Sequence, residues 1–227
     1  MKKNKLFIGA LALLMAFTTA CSSKTENTTT TSQDKDTFTY AINSDPSSTN
    51  PINVSDRWGL TMTNMIYSPL IRVEGDGSLV NELAESTELA KDGLSLTVNL
   101  KKGIKWSDGQ DFTADDVVFT YETKAKKENG NFKSLWINDK PITVEKKDDH
   151  TVVFKFPEPS AAAANNIATE TYIIPKHIYG NVSDFSVKDL QEKPVGTGPY
   201  KLVENKRGEY IKFEANENYY KGKTKVK

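Results

Sequence analysis

Cysteine is almost absent: Cys21 is the only one in 227 residues, so no internal disulfide can form and stability must come from a core. Histidine is nearly as scarce. His150 and His177 stand far apart, with no carboxylate or cysteine at ligand spacing, which argues against a metal centre. Neither charge is in surplus, with 30 Lys and Arg against 30 Asp and Glu. Without the first few lysines the remainder is slightly acidic, so no basic field would draw nucleic acid. No Ser-His-Asp or nucleophile-elbow pattern occurs, and no internal repeat. A long apolar run is missing too: residues 6–17 make about twelve, short of the ~20 that a membrane-spanning helix needs.

That short run has another use. Lys2, Lys3 and Lys5 precede it as a positive n-region, giving a signal peptide over 1–20. It ends in Thr18-Thr19-Ala20-Cys21, which resembles the lipobox of bacterial lipoproteins, whose cysteine is lipidated and becomes the mature N-terminus. Thr18 departs from the larger aliphatic residue usual there, and an ordinary secretory signal with a leftover thiol is the alternative. Residues 22–36 hold only Ser, Thr, Asn, Gln, Glu, Lys and Asp, a composition that cannot offset its ordering entropy and predicts a disordered tether. The remaining 37–227, in a chain with 37% hydrophobic and 10% aromatic residues, suffices for one domain with a real core or parts of two.

Phe38, Tyr40 and Ile42 alternate with polar neighbours, the period of a half-buried strand over 37–42. A loop over 43–54 contains Pro46 and Pro51, and a helix follows over 57–68 with Asp56 as cap, Leu60, Met65 and Ile66 buried, and Pro69 at the exit. Turns at Asp76-Gly77 and Asp92-Gly93 precede the clearest strand, 94–100. Thr113 and Asp116 form a capping box opening a helix that buries Ala114, Val117, Val118, Tyr121 and Ala125. A secreted enzyme using carboxylates such as Asp115 and Asp116 is a further alternative, but the two are adjacent and on a helix do not converge on one substrate. Strands carrying Ile142 and Val144, then Val152, Phe154 and Phe156, flank a charged turn over 146–149. A short helix over 161–168, an extended 172–174 and a hairpin turning at Arg207-Gly208 complete an α/β or α+β chain. Gly196-Thr197-Gly198 lacks both the Gly-Lys-Ser/Thr and the helix start of a phosphate loop.

Taken in order, several blocks resemble the extracellular solute-binding proteins of the oligopeptide, dipeptide and nickel transport family. They are Asp45-Pro46 and Asn50-Pro51; Ile66-Tyr67-Ser68-Pro69-Leu70-Ile71; Leu83-Ala84-Glu85-Ser86 with Asp92-Gly93; and Leu100 through Asp108-Gly109 to Val117. Pro194-Val195-Gly196-Thr197-Gly198-Pro199-Tyr200 and Asn216-Glu217-Asn218-Tyr219-Tyr220-Lys221-Gly222-Lys223 follow.

The resemblance implies a type II periplasmic-binding-protein-like α/β fold, two-lobed with mixed sheets. This chain would cover the smaller N-terminal subdomain and part of lobe I, with most of the second lobe lacking. It further implies no catalysis and no cofactor. The function would be that of the lipid-anchored, monomeric substrate-binding component of an ABC importer, serving permease and ATPase subunits at the extracellular face of the bacterial cell membrane. The ligand would be an oligopeptide; a signalling peptide, a nickel chelate or haem is the alternative, as is a non-binding surface module if the chain is complete. Cys21 is then the lipidation site. Ser55, Asp56, Arg57 and Trp58 fall at the cleft wall and Trp136 at an aromatic lip over the peptide. Asp56 as a mere cap, Arg57 as a solvated side chain and Trp136 as a core residue are the competing readings, and Trp106 is assigned to packing.

Overall fold

The alternation of residues 94–100 becomes the centre of a four-stranded sheet in the computed structural model, which describes residues 37–130, 132–168, 171–185 and 193–226. Residues 38–227 form one unit, separate from 1–37. The signal peptide, Cys21 and the tether therefore lie outside the described residues.

Along the chain come α1 (Arg57–Ile66), the hairpin β1 (Ile71–Val73) and β2 (Leu79–Asn81), then β3 (Ala84–Leu89), β4 (Ser95–Leu100) and α2 (Ala114–Lys124). A 3-10 turn (Phe132–Leu135) leads to the small hairpin β5 (Trp136–Ile137) and β6 (Lys140–Pro141), followed by β7 (Thr143–Asp148) and β8 (Thr151–Lys155). The short helices α3 (Ala163–Ala168) and α4 (Lys176–Tyr179) precede the hairpin β9 (Tyr200–Lys206) and β10 (Tyr210–Ala215).

The main sheet runs β3-β4-β8-β7, antiparallel throughout, with Leu96 opposite Phe154 and Val98 opposite Val152. Alternation puts these four residues, with Leu100 and Val144, on one buried face, while Ser95, Thr97 and Asn99 take the other. On the buried face lies α2, whose Tyr121 ring meets Phe154 edge-on at 4.7 Å and whose hydroxyl donates to Ile167 O at 2.6 Å. The capping box is complete: the Thr113 side chain accepts from the first turn and Asp116 reaches back to Thr113 N. Asp116 is also buried and accepts from the Trp106 indole at 3.3 Å and from Lys176 N at 2.8 Å. Its carboxyl is pushed up by burial, which these hydrogen bonds offset only in part.

A second core gathers Ile52, Met62, Ile66, Tyr172, Ile174 and Leu202 between α1 and the β9–β10 hairpin. Here Tyr67 and Tyr179 share a hydroxyl–hydroxyl bond of 2.9 Å, and burial drives the Tyr179 phenol up to about 12. The Gly-Thr-Gly turn closes on the end of α1, with Gly198 N donating to Ile66 O at 2.8 Å. A Cβ at Gly196 would sit 1.9 Å from Ile66 O, and one at Gly198 2.6 Å from Met65 O, so both positions require glycine. This turn meets the carbonyl end of a helix, the electronegative pole, which is the reverse of a phosphate cradle.

Several expectations need correction. Residues 37–42 form no ladder: Phe38 is 70% exposed and Tyr40 44%, because alternation makes a strand only where an edge offers partners. Helix α1 stops at Ile66, two residues before the predicted end, where the glycine turn takes the Ile66 carbonyl. The 146–149 turn is tighter than predicted, since β7 continues through a register shift to Asp148. Strand β3 gave no alternation because all but Ala84 is exposed.

The C-terminal tyrosine-rich block closes back onto Glu82. That buried carboxylate accepts from Arg72 Nε at 3.0 Å and Tyr220 Oη at 2.6 Å, and pairs with Lys221. Burial alone would raise its pKa, but Lys221, Tyr220 and Arg72 outweigh burial and hold it below the usual carboxylate range. A depressed folded value means that its contribution is complete above the unfolded value of about 4.3 and lost as pH falls through the folded one. Glu82→Gln should therefore lower the melting temperature at pH 7, with the gap to wild type closing below about pH 4. Melting curves at a series of pH values check this; a gap that stays constant with pH would refute the ion-pair account.

Candidate functional site

The loop before α1 is braced from three sides. Asn50, fully buried, accepts from Ile52 N at 3.0 Å through its side chain and donates to Phe185 O at 2.6 Å, while its carbonyl accepts from Val54 N at 2.9 Å. Asn53 also donates to Phe185 O, and its side-chain oxygen accepts from Gly130 N. From the far end of the chain, the β9–β10 tip donates Gly208 N to Asp45 at 2.8 Å and Arg207 to Pro46 O at 3.1 Å. A loop with two prolines and these anchors presents its side chains with little freedom.

Asp56 caps α1, accepting Gly59 N at 2.9 Å, and its second oxygen accepts Ser47 Oγ at 2.5 Å and Ser47 N at 3.2 Å. Its partial burial works against ionisation, yet the Ser47 hydroxyl and the backbone N–H groups bring its carboxyl below the usual range. Gly59 makes this cap possible, since a Cβ there would lie 2.7 Å from the Asp56 carboxylate and 2.3 Å from Val54 Cγ2. The Trp58 indole, half-buried, donates to Asn43 Oδ1 at 2.7 Å. Arg57 is exposed, its guanidinium carbon 5.9 Å from the centre of the Trp58 ring. Ser55 is exposed beside them.

Trp136 stands elsewhere in the fold. Its indole donates to Ala125 O at 2.8 Å, at the end of α2; Phe132 meets it edge-on at 5.6 Å and the Lys127 ammonium lies 4.9 Å from its ring. It packs half-buried against the main core. So the structure groups Ser55, Asp56, Arg57 and Trp58, and gives Trp136 a bracing position in which one ring face is already taken by a cation. Trp106 is wholly buried, in keeping with packing. Sequence reading missed Asn43 and Ser47, the partners that fix Trp58 and Asp56; short polar residues near prolines announce turns, and nothing in that signal names their partners. Among the described residues no group of three or more His, Cys, Asp or Glu could hold a metal ion. An open hollow of about 630 Å³ lies at the end of the main sheet, lined by Glu85, Asn99, Lys101, Lys102, Asp148 and His150 among others, with no residue of the 55–58 group in its wall.

Comparison with known proteins bears on this geometry. Residues 78–227 match the bacterial extracellular solute-binding proteins, family 5, middle region. The oligopeptide-binding protein AppA of Bacillus subtilis is 37% identical over 98% of this chain and 43% of its own length. Its crystal structure with a nonapeptide superposes with a TM-score of 0.70 at 35% identity, over 81% of this chain and 37% of that one. The ABC transporter substrate-binding protein CtaP of Listeria monocytogenes gives 0.75 at 40% identity, over 82% and 38%. NikZ of Campylobacter jejuni, solved with Ni(L-His), gives 0.70 at 32% identity, over 83% and 37%. The α/β fold is thus that of solute-binding proteins, and the chain spans less than half the length of these relatives.

If the Trp136 indole serves as a brace, Trp136→Phe should lower unfolding free energy by about 1 kcal/mol, the net value of one hydrogen bond. Denaturant titration measures it, and an unchanged midpoint would remove the bracing role.

Proposed function

The chain belongs to family 5 of the bacterial extracellular solute-binding proteins, and from that premise we propose that it is the N-terminal part of an importer's receptor for oligopeptides. The observation that carries this reading is the likeness to AppA across nearly the whole chain, 37% identical over 98% of it. A receptor of this kind releases its ligand unchanged and needs no catalytic group. It needs main-chain partners for an extended peptide, wet pockets tolerant of side chains, and a few fixed charges. A braced loop carrying Ser55, Arg57 and Trp58, with Asp56 holding its shape, suits the last of these requirements, and Trp136 would contribute an aromatic lip only if its remaining surface reaches the ligand.

On this reading residues 1–20 are the signal peptide, Cys21 carries the lipid, 21–36 tether the domain, and 37–227 form the first portion of the solute-binding domain. The ligand-bound receptor, a monomer, then docks on a permease driven by ATPase subunits, at the outer face of the cell membrane. Likeness to NikZ supports a second reading, a nickel chelate as ligand; the greater identity to AppA favours the peptide.

Mass spectrometry of small molecules released from the protein purified natively from its own cells tests the ligand. Peptides are the expected finding; nickel or haem in their place would move the assignment within the family, and a protein that is empty and also ignores added peptides would end the receptor reading. The anchor has its own test. Cys21→Ser should shift the protein from the membrane fraction to the medium and abolish labelling by a clickable palmitate analogue, whereas unchanged fractionation and labelling would exclude a lipid at that residue.

A further inference from the structure

Within the 55–58 group the charges are not equivalent. Both oxygens of Asp56 are engaged, one by Gly59 N and the other by Ser47 N and Oγ. A ligand ammonium approaching that carboxylate would compete with the cap of α1. Arg57 is the opposite case: exposed, it forms no ion pair with any described residue, and the contact recorded for it is with the Trp58 ring, 5.9 Å away. The ring is itself fixed, since its indole N–H is bonded to Asn43 at 2.7 Å. A guanidinium stacked on an aromatic face keeps the N–H groups of its edge available, in the fork that matches a carboxylate.

Local stability does not account for this cation. Arg57 is the first residue of α1, whose first turn contains no acidic residue, and a positive charge at a helix N-terminus is unfavourable. An anion brought to the guanidinium edge would relieve that conflict and gain a charge-assisted, two-point hydrogen bond.

We propose that Arg57, laid on Trp58 and oriented through Asn43, receives a carboxylate of the bound peptide, either its C-terminus or an acidic side chain. This rests on the peptide-receptor reading above and narrows it: the favoured ligands carry an accessible carboxylate. Asn43 is a positioning residue, acting through Trp58.

Calorimetric titration of the whole native protein with three synthetic nonapeptides provides the test. One is built of neutral residues with a free C-terminal carboxylate, the second is its C-terminal amide, and the third is that amide with one residue replaced by Glu. Wild type should bind the free acid about tenfold more tightly than the amide. Arg57→Gln should bring that ratio to about one with no loss of melting temperature, and Arg57→Lys should keep part of it. Asn43→Ala should reduce the ratio while the net charge stays the same, an effect that a purely structural role would not produce. If the Glu-containing amide regains the lost affinity, the carboxylate can come from a side chain; if not, it is the C-terminus. Equal binding of all three peptides by wild type, or a preference for the carboxylate unaltered in Arg57→Gln, overturns the assignment. Should no peptide bind to wild type at all, the peptide reading falls first and this role with it.

Discussion

The carboxylate of Asp116 is the point on which the main core turns. It lies beneath the protein surface and accepts three N–H groups, two from close by in sequence, Thr113 at the start of α2 and the Trp106 indole, and one from 60 residues on, Lys176 at the start of α4. A buried carboxylate is costly unless its lone pairs are satisfied, so this one holds together only when all three segments are in place. Trp106 thereby acquires a fixed orientation, and Trp106 in turn meets Phe112 edge-on and passes its carbonyl to Asn218. The same loop gives Asp108 to His177, at 2.7 Å. One buried carboxyl group sets the relation between the helix on the sheet and the segment that leads to the second core.

The second core depends on a closeness of backbones and not on a charge. The Gly-Thr-Gly turn presses against the last residues of α1, and Ser107 exchanges bonds with Gly196 from the other side, at 2.9 and 3.3 Å. Asn216 then ties the turn to the end of the β9–β10 hairpin through Gly198 O at 2.8 Å. Since the hairpin tip also grips Asp45 and Pro46, the loop that leads into Arg57 and Trp58 at the start of α1 is held by residues 161 and 163 positions later in the chain. The geometry of the candidate site is thus a property of long-range closure, set once the hairpin packs.

How much of this could be read beforehand follows from the range of each interaction. The capping box at Thr113 and Asp116, the strand over 95–100, the turn at Arg207-Gly208 and the cap at Asp56 are decided by neighbours within a few residues, and they stand where the sequence indicated. The strand expected at 37–42 depended on a partner edge, which no local pattern can guarantee. Of the site, the grouping of Ser55 through Trp58 was legible because it rests on adjacency. The pins at Asn43 and Ser47 were not, since a serine 9 residues from its partner, or an asparagine 15 away, looks like any other loop residue. The engagement of both Asp56 oxygens by Ser47 and Gly59, beside an Arg57 exposed against Trp58, emerged only from the distances.

The blocks that carry the family resemblance turn out to be those with framework tasks. Trp106 and Asp116 belong to the buried carboxylate network, Gly196 and Gly198 to the close approach on α1, Asn216 and Asn218 to the closure between them, and Tyr220 and Lys221 to Glu82. Several meet narrow constraints: no Cβ at Gly196 and Gly198, a two-sided amide at Asn216, a buried acceptor at Asp116. The exposed residues Ser55 and Arg57 and the open part of Trp58 carry no such constraint from the fold, and other side chains would be accommodated there without rebuilding the core. A framework so tightly specified and a rim so loosely specified make the class of protein easy to recognise and its ligand hard to name. Relatives on one scaffold, solved with a nonapeptide in one case and a nickel–histidine complex in another, are what that separation allows. The choice among ligands must then be sought in the few charges and ring faces that the framework leaves unspent.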